Sequence, residues 1–424
     1  MEQQQSPVGI EALNAFCGSA YIEVAELAAH RKLDTARFEN LLMKEKAVAL
    51  PYEDPVTFAV NAARPLVDAL SAAEKDSIEL LIVCTESGID FSKSMSTYVH
   101  HYLELQRNCR LFEIKQACYS AAAGFQSAVN FVLSRSSPGA KALVVATDIS
   151  RFMAAQGGTA LTEDWSFAEP SSGAGAVAML VSEWPHVFQV DVGANGYYGY
   201  EVMDTCRPIP DGEAGNADLS LLSYLDCCEN AFRNYCTRVE GVHYRDSFQC
   251  LIFHTPFGGM VKGAHRTMMR KMVQASPAEI EEDFRRRVLP GVAYCQRVGN
   301  IMGGTVFLAL ASMIDRAPID TPRRIGCFSY GSGCCSEFFS GIVTPASQAR
   351  QRRFAIEAGL DRRYRLSMEE YESILRGSAA VKFGARNALI DARFLSRARE
   401  AGSGTRRLFL REIKEFHREY EWLS

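Results

Sequence analysis

Much of what this 424-residue sequence says comes from what is missing. No run of about 18 or more apolar residues occurs, so no membrane-spanning helix is expected. The opening stretch, MEQQQSPVGIEALNAF, has neither the basic segment nor the apolar segment of a secretory leader, and a cytoplasmic location is expected. Positive charge is not in excess. The 46 Lys and Arg stand against 50 Asp and Glu, a net charge of -4, which argues against a general nucleic-acid binder. The 13 cysteines follow no zinc or disulfide spacing, and two adjacent pairs, Cys227-Cys228 and Cys334-Cys335, break any framework pattern. Reduced thiols are the simplest account, and no metal site is expected. The glycine-rich stretches GSGCCS and SSGAGA have neither dinucleotide-binding nor P-loop spacing.

What is present reads as strands alternating with helices. IELLIVCTES, AKALVVATDIS and GAGAVAMLVS are short continuous apolar runs, the pattern of strands covered on both faces. FQCLIFHTP, RIGCFSYGSG and SEFFSGIV repeat it in the second half. Residues 94–105 and 119–133, and the stretch GNIMGGTVFLALASMID, read as helices. The class is therefore α/β, with helices packed on sheets, in two architecturally similar halves, 1–185 and 186–424. Residues 190–240 are rich in Gly, Asp and Asn with little periodicity. They form either an insertion or lid, or an ordinary surface excursion. The C-terminal region is strongly charged and reads as helical. Ser367 and Glu370 have capping-box spacing, and Leu408, Ile413, Phe416 and Tyr420 can share one helical face.

Three chemically capable residues sit at strand ends. Cys118 follows LFEI and precedes a helix, where the positive end of the helix dipole is expected to lower its pKa. The neighbouring Ala121, Ala122, Ala123 and Gly124 allow close packing and leave room for a substrate tether. Glu86 ends the strand of VCTESGID, and His254 ends that of LIFHTPFGG. Each alone has a bland structural explanation: a buried thiol, a solvated carboxylate, a satisfied histidine. Strand C-termini are nevertheless where α/β folds place chemistry.

VGIEALNAF, TESGIDFSKS, QACYSAAAG, PSSGAGAVAMLVS, FHTPF, VGNIMGGT and FSYGSGCCSEFF occur in this order. Together they resemble the 3-hydroxy-3-methylglutaryl-CoA (HMG-CoA) synthases of the thiolase superfamily, over nearly the whole chain. The resemblance implies a thiolase-like five-layered αβαβα fold and a homodimer. It implies Cys118 as acyl-accepting nucleophile, Glu86 as general acid/base and His254 as the group that activates the acceptor. Asn300 would stand beside His254. The amides around Cys118 and Ser332 would form the oxyanion hole, with Tyr330, Ser172 and Gly173 shaping the pocket. Decarboxylating ketosynthases share a Cys-His-Asn set but need no base where Glu86 stands.

Members that use CoA carry lysines in the helix after the histidine. Here Gly259 and Gly263 occupy two such places, while Lys262 and Arg266 remain as cations able to meet an acidic carrier. FGGMVKGAH, DTCRPIPD and DLSLLSYLDCC look most like the synthases of polyketide β-branching cassettes. No bound cofactor is then expected. Substrates would arrive on the phosphopantetheine of donor and acceptor acyl carrier proteins. The alternatives are a synthase using acetyl-CoA and acetoacetyl-CoA, and a non-catalytic scaffold that docks carriers.

Overall fold

The computed structural model describes residues 6–150, 168–209, 212–396 and 406–423. Its centre is a nine-stranded sheet. In chain order the strands are β1 (Gly9–Phe16), β2 (Ile78–Cys84), β3 (Arg110–Ile114), β4 (Lys141–Ile149), β5 (Ala174–Ser182), β6 (Phe188–Gly199), β9 (Cys250–Phe253), β10 (Arg323–Gly331) and β11 (Cys335–Val343). A separate hairpin supplies β7 (Thr205–Ile209) and β8 (Gly212–Gly215). The spatial order is β9-β10-β11-β6-β1-β5-β4-β2-β3.

Two half-sheets meet at the middle, where β1 and β6 share only two residue pairs, Gly9 with Gln189 and Ile10 with Phe188. Each half is wound alike. Its opening strand, β1 or β6, lies at the centre. Its closing strand, β5 or β11, runs antiparallel beside it. Next comes an antiparallel neighbour, β4 or β10, and then a parallel one, β2 or β9. This repeat makes Glu86, after β2, and His254, after β9, topological counterparts.

The helices complete five layers. Helix α1 (Pro55–Asp68) covers the outer face of the first half-sheet, and α3 (Ala217–Arg238) that of the second. Between the half-sheets lie α2 (Ser120–Ser134) and α6 (Gly304–Arg316), in one core cluster with β1, β4 and β9. All nine residues of β4 and of β5 are buried, as their unbroken apolar runs require. In α2, a β-carbon on Gly124 would lie 2.5 Å from Cys84 Sγ, so the small residues seat the helix directly on β2. Ala121 to Gly124 do not border the active cavity, so they serve packing rather than a tether.

Two sequence expectations are corrected. Residues 190–240 are largely regular: β6 is a long strand of the main sheet and α3 a whole layer, leaving only residues 200–216 with the β7–β8 hairpin as an excursion. Pro210 and Asp211 within it lie outside the described residues. The end of the chain is a hairpin, β12 (Arg407–Lys414) and β13 (His417–Leu423), rather than a helix. Arg418, Tyr420 and Trp422 turn inward while His417 and Glu421 are exposed, a period of two. Phe416, assigned to the buried face, is 62% exposed in the turn. The helical part is α7 (Met368–Gly377), where Ser367 and Glu370 do form the capping box.

The hairpin is locked by charge. Arg418 Nη1 donates to Asp54 Oδ2 at 2.9 Å, Tyr420 Oη donates to the same oxygen at 2.8 Å, and Asp54 is wholly buried at the cap of α1. Removing the cation leaves an uncompensated buried carboxylate, so Arg418→Met is expected to cost about 3–5 kcal/mol in urea unfolding. A change near zero would show that the pair does not anchor the C-terminal segment.

Candidate active site

The nucleophile sits on a sharp strand-to-helix turn. Ala117 takes a left-handed conformation (φ 44°), and the amides of Tyr119 and Ser120 donate back to Gln116 O and Ala117 O, both at 3.1 Å. The turn presses against the other half: a β-carbon on Gly331 would lie 2.5 Å from Tyr119 N and 2.7 Å from Gln116 O. Only glycine at the end of β10 lets the two strand ends meet there.

Cys118, Glu86, His254, Asn300, Tyr330, Ser332 and Ser172 all line one cavity of about 930 Å³. Cys118 Sγ donates to Glu86 Oε1 at 3.3 Å and lies 3.9 Å from Met302 Sδ. Gly173 is not in the cavity wall. Its absent side chain makes room for Val298 O, which a β-carbon would approach to 2.1 Å. Lys262 and Arg266 lie on α4 (Gly258–Met268), outside the cavity; Arg266 is exposed and Lys262 Nζ pairs with Glu281 Oε2 at 2.9 Å.

Burial governs the electrostatics. The Cys118 thiol is pushed well above the ordinary cysteine value, first by burial and then by the Glu86 charge. This reverses the expected lowering by the helix. His254 is 1% exposed, and burial pulls its pKa down to about 3, so its imidazole is neutral and offers an N–H donor. Asn300 Oδ1 accepts from Met302 N at 2.9 Å and Thr305 Oγ1 at 3.1 Å, leaving its amide NH2 as the group able to donate to a ligand. Tyr330 donates to Asp204 Oδ2 at 2.6 Å, which fixes its ring against the cavity.

Two further residues emerge only in three dimensions. Asp148, at the end of β4, accepts at Oδ1 from Glu86 N (2.8 Å), Ser87 N (2.9 Å), Ser87 Oγ (2.8 Å) and Thr85 Oγ1 (3.1 Å). It therefore sets the backbone that presents Glu86. Burial and the Glu86 charge push its own pKa up to about 7. Arg207, on β7, donates from Nη1 to Glu86 O at 3.2 Å, and its Nε lies 3.8 Å from Glu86 Oε2. The hairpin thus carries a cation into the cavity. TCRP gives no local signal for this placement, and TDIS gives none for Asp148 beyond a polar residue closing an apolar run.

Residues 4–185 match the family hydroxymethylglutaryl-coenzyme A synthase N terminal, and residues 264–419 match hydroxymethylglutaryl-coenzyme A synthase C terminal. The chain belongs to the HMG-CoA synthase family. It is 69% identical over 416 residues to the polyketide biosynthesis 3-hydroxy-3-methylglutaryl-ACP synthase PksG of Bacillus subtilis, covering 98% of this chain and 99% of that relative. It is 34% identical to the hydroxymethylglutaryl-CoA synthase of Enterococcus faecalis, covering 87% and 91%. Among solved structures, the curacin biosynthetic pathway HMG synthase in complex with holo donor-ACP superposes with a TM-score of 0.94 at 65% identity, covering 98% of this chain and 100% of that one. The fold is thus the thiolase-like one of this family, and the chain is an acyltransferase-type enzyme of the HMG synthase kind. Among the described residues no helix is long and apolar enough to cross a membrane.

The Glu86 charge disfavours the Cys118 thiolate, so removing it should lower the thiol pKa. Each unit multiplies the thiolate fraction about tenfold. Glu86→Gln is therefore expected to speed iodoacetamide labelling of Cys118 at pH 8, followed by peptide mass spectrometry. Slower labelling would mean that Glu86 favours the thiolate in the resting enzyme.

Proposed function

We propose that this chain is the HMG synthase of a polyketide β-branching system. In this reading it takes acetyl from an acetyl-acyl carrier protein and adds it to the β-ketone of a carrier-bound β-ketoacyl chain. The observation that carries the reading is the 3.3 Å contact of Cys118 Sγ with Glu86 Oε1, in the cavity that also holds His254 and Asn300.

The Cys118 thiol gives up its proton as its sulfur attacks the donor thioester. The phosphopantetheine thiol leaves with a proton, and the acetyl remains on sulfur. Amides at Cys118 and Ser332 then face the acetyl oxygen. Such donors are worth roughly 3 kcal/mol each as an enolate forms. Glu86 removes a methyl proton, and the resulting carbanion forms a carbon–carbon bond to the acceptor ketone. His254, neutral, and the Asn300 amide donate to that oxygen as it becomes an alkoxide, which Glu86 reprotonates. Water cleaves the Cys118 thioester, releasing the thiol and a carboxylate: a β-hydroxy, β-carboxymethyl acyl chain on the acceptor carrier. Ser172 and Tyr330 shape the channel, and Arg207 balances the charge of Glu86.

Delivery by a carrier rather than free CoA is supported at Gly259. A β-carbon there would lie 1.9 Å from Asn40 O, so a lysine at this place would force the backbones apart. The names of the relatives at 69% and 65% identity include an ACP product and a bound donor-ACP, which agrees. Lys262 and Arg266 would steer the acidic carrier to the cavity mouth. A homodimer and a cytoplasmic location complete the proposal. The outer edge of β3 has no partner strand among the described residues and exposes Phe112, an edge that a second copy would cover. The thiol-rich composition suits a reducing compartment.

Intact-mass analysis tests the division of labour. Cys118→Ala should gain no acetyl from acetyl-carrier protein, whereas Glu86→Ala should become acetylated yet form no condensed product. An unlabelled Glu86→Ala protein would refute the roles given to the two residues. Native protein should load from acetyl-carrier protein faster than from acetyl-CoA; the opposite order would favour the synthase using acetyl-CoA and acetoacetyl-CoA.

A further inference from the structure

One buried charge has no part in the chemistry above. Lys46, in the short strand Glu45–Val48, is 3% exposed and does not border the cavity. Its Nζ donates to Ser172 O at 2.8 Å and to Ser172 Oγ at 2.7 Å. Burial pulls its pKa down to about 8, opposed by the charge of Glu169. Glu169, 4% exposed, is itself held from the other side. Arg31 donates to both its oxygens at 2.8 and 2.9 Å, and Tyr371 Oη donates at 3.1 Å from α7. A buried ammonium is costly unless paired and hydrogen-bonded, and here its hydrogen bonds go to a single residue.

That residue belongs to the segment that grips Asn300. Asn300 N donates to Ser171 O at 2.7 Å, and Gly173 N donates to Asn300 O at 2.9 Å. The backbone of residues 171–173 thus sets where Asn300 stands, and the Asn300 side chain has only its NH2 left to donate. Neither Cys118 nor Glu86 touches Lys46 or residues 171–173 through any hydrogen bond described above. We infer that Lys46 is a positioning residue for the condensation step: by clamping Ser172 it fixes residues 171–173, and through them the Asn300 donor that meets the acceptor's ketone. The inference rests on the reaction proposed above and adds to it that the two half-reactions depend differently on one buried cation.

Single-turnover kinetics on the full-length protein separate the steps. Acetyl-carrier protein is offered first and Cys118 acetylation is read by intact mass; a β-ketoacyl-carrier protein is then added and product formation followed. Lys46→Met should load within about twofold of the native rate, while its condensation slows about 10- to 100-fold, the cost of displacing a positioned group by about an ångström. Lys46→Arg, which keeps the cation and its donors, should recover most of the condensation rate. Should Lys46→Met fail to fold, Lys46→Leu, which likewise removes the donors, serves in the same comparison. Equal slowing of both steps, or an unchanged condensation rate, overturns the role given to Lys46. If the native protein itself neither loads nor condenses, the underlying reaction is wrong and this inference falls with it.

Discussion

The site exists because two half-sheets are held with their strand ends almost in contact. The turn that carries Cys118 belongs to the first half, and the glycine that lies against it, Gly331, belongs to the second. No side chain fits between them. From that contact the remaining placements follow. β2 delivers Glu86 and β9 delivers His254 to the same cavity, because each half is wound in the same order. Ser332 follows Gly331 directly and so lines the same cavity as the thiol.

Within this enclosure burial outweighs the helix. A helix terminus contributes about 0.3–1 kcal/mol at exposed positions, whereas full burial shifts pKa values by up to about 3–5 units, several kcal/mol. The thiol is therefore protonated at rest and His254 is neutral. Both states suit a site that holds a neutral thioester. Glu86 accepts the hydrogen bond of the thiol, and Asp148 and Arg207 fix its backbone from two sides. Glu213, on the same hairpin, lies 3.9 Å from Arg207 and is pushed up to about 6 by burial, so the hairpin carries both signs of charge into the cavity.

The strand ends were legible because their runs are continuous and end in reactive residues; Cys118, Glu86 and His254 stood out at those ends, and only the family resemblance implied roles for them. Asp148, Arg207 and Lys46 did not stand out. Each acts across more than 60 residues of chain, on a backbone group that no local pattern marks. The C-terminal hairpin was misread because Leu408 and Ile413 fit a helical face as well as a strand. The alternation of Arg418, Tyr420 and Trp422 with charged residues held the answer, masked by an inward-facing arginine whose partner, Asp54, lies 364 residues away. Residues 188–199 were misread for the converse reason: glycine and asparagine in YYG-type stretches signal loops, yet β6 is paired with β1 and β11.

In the proposed reaction a carboxylate beside the acyl sulfur strips hydrogen from the carried methyl group. Deuterium uptake by the acetylated protein in D2O, without acceptor, reads that step alone. The acetyl adduct on Cys118 should gain mass by methyl exchange in the native protein and keep its mass in Glu86→Ala. Equal uptake in both proteins would rule out Glu86 as the base.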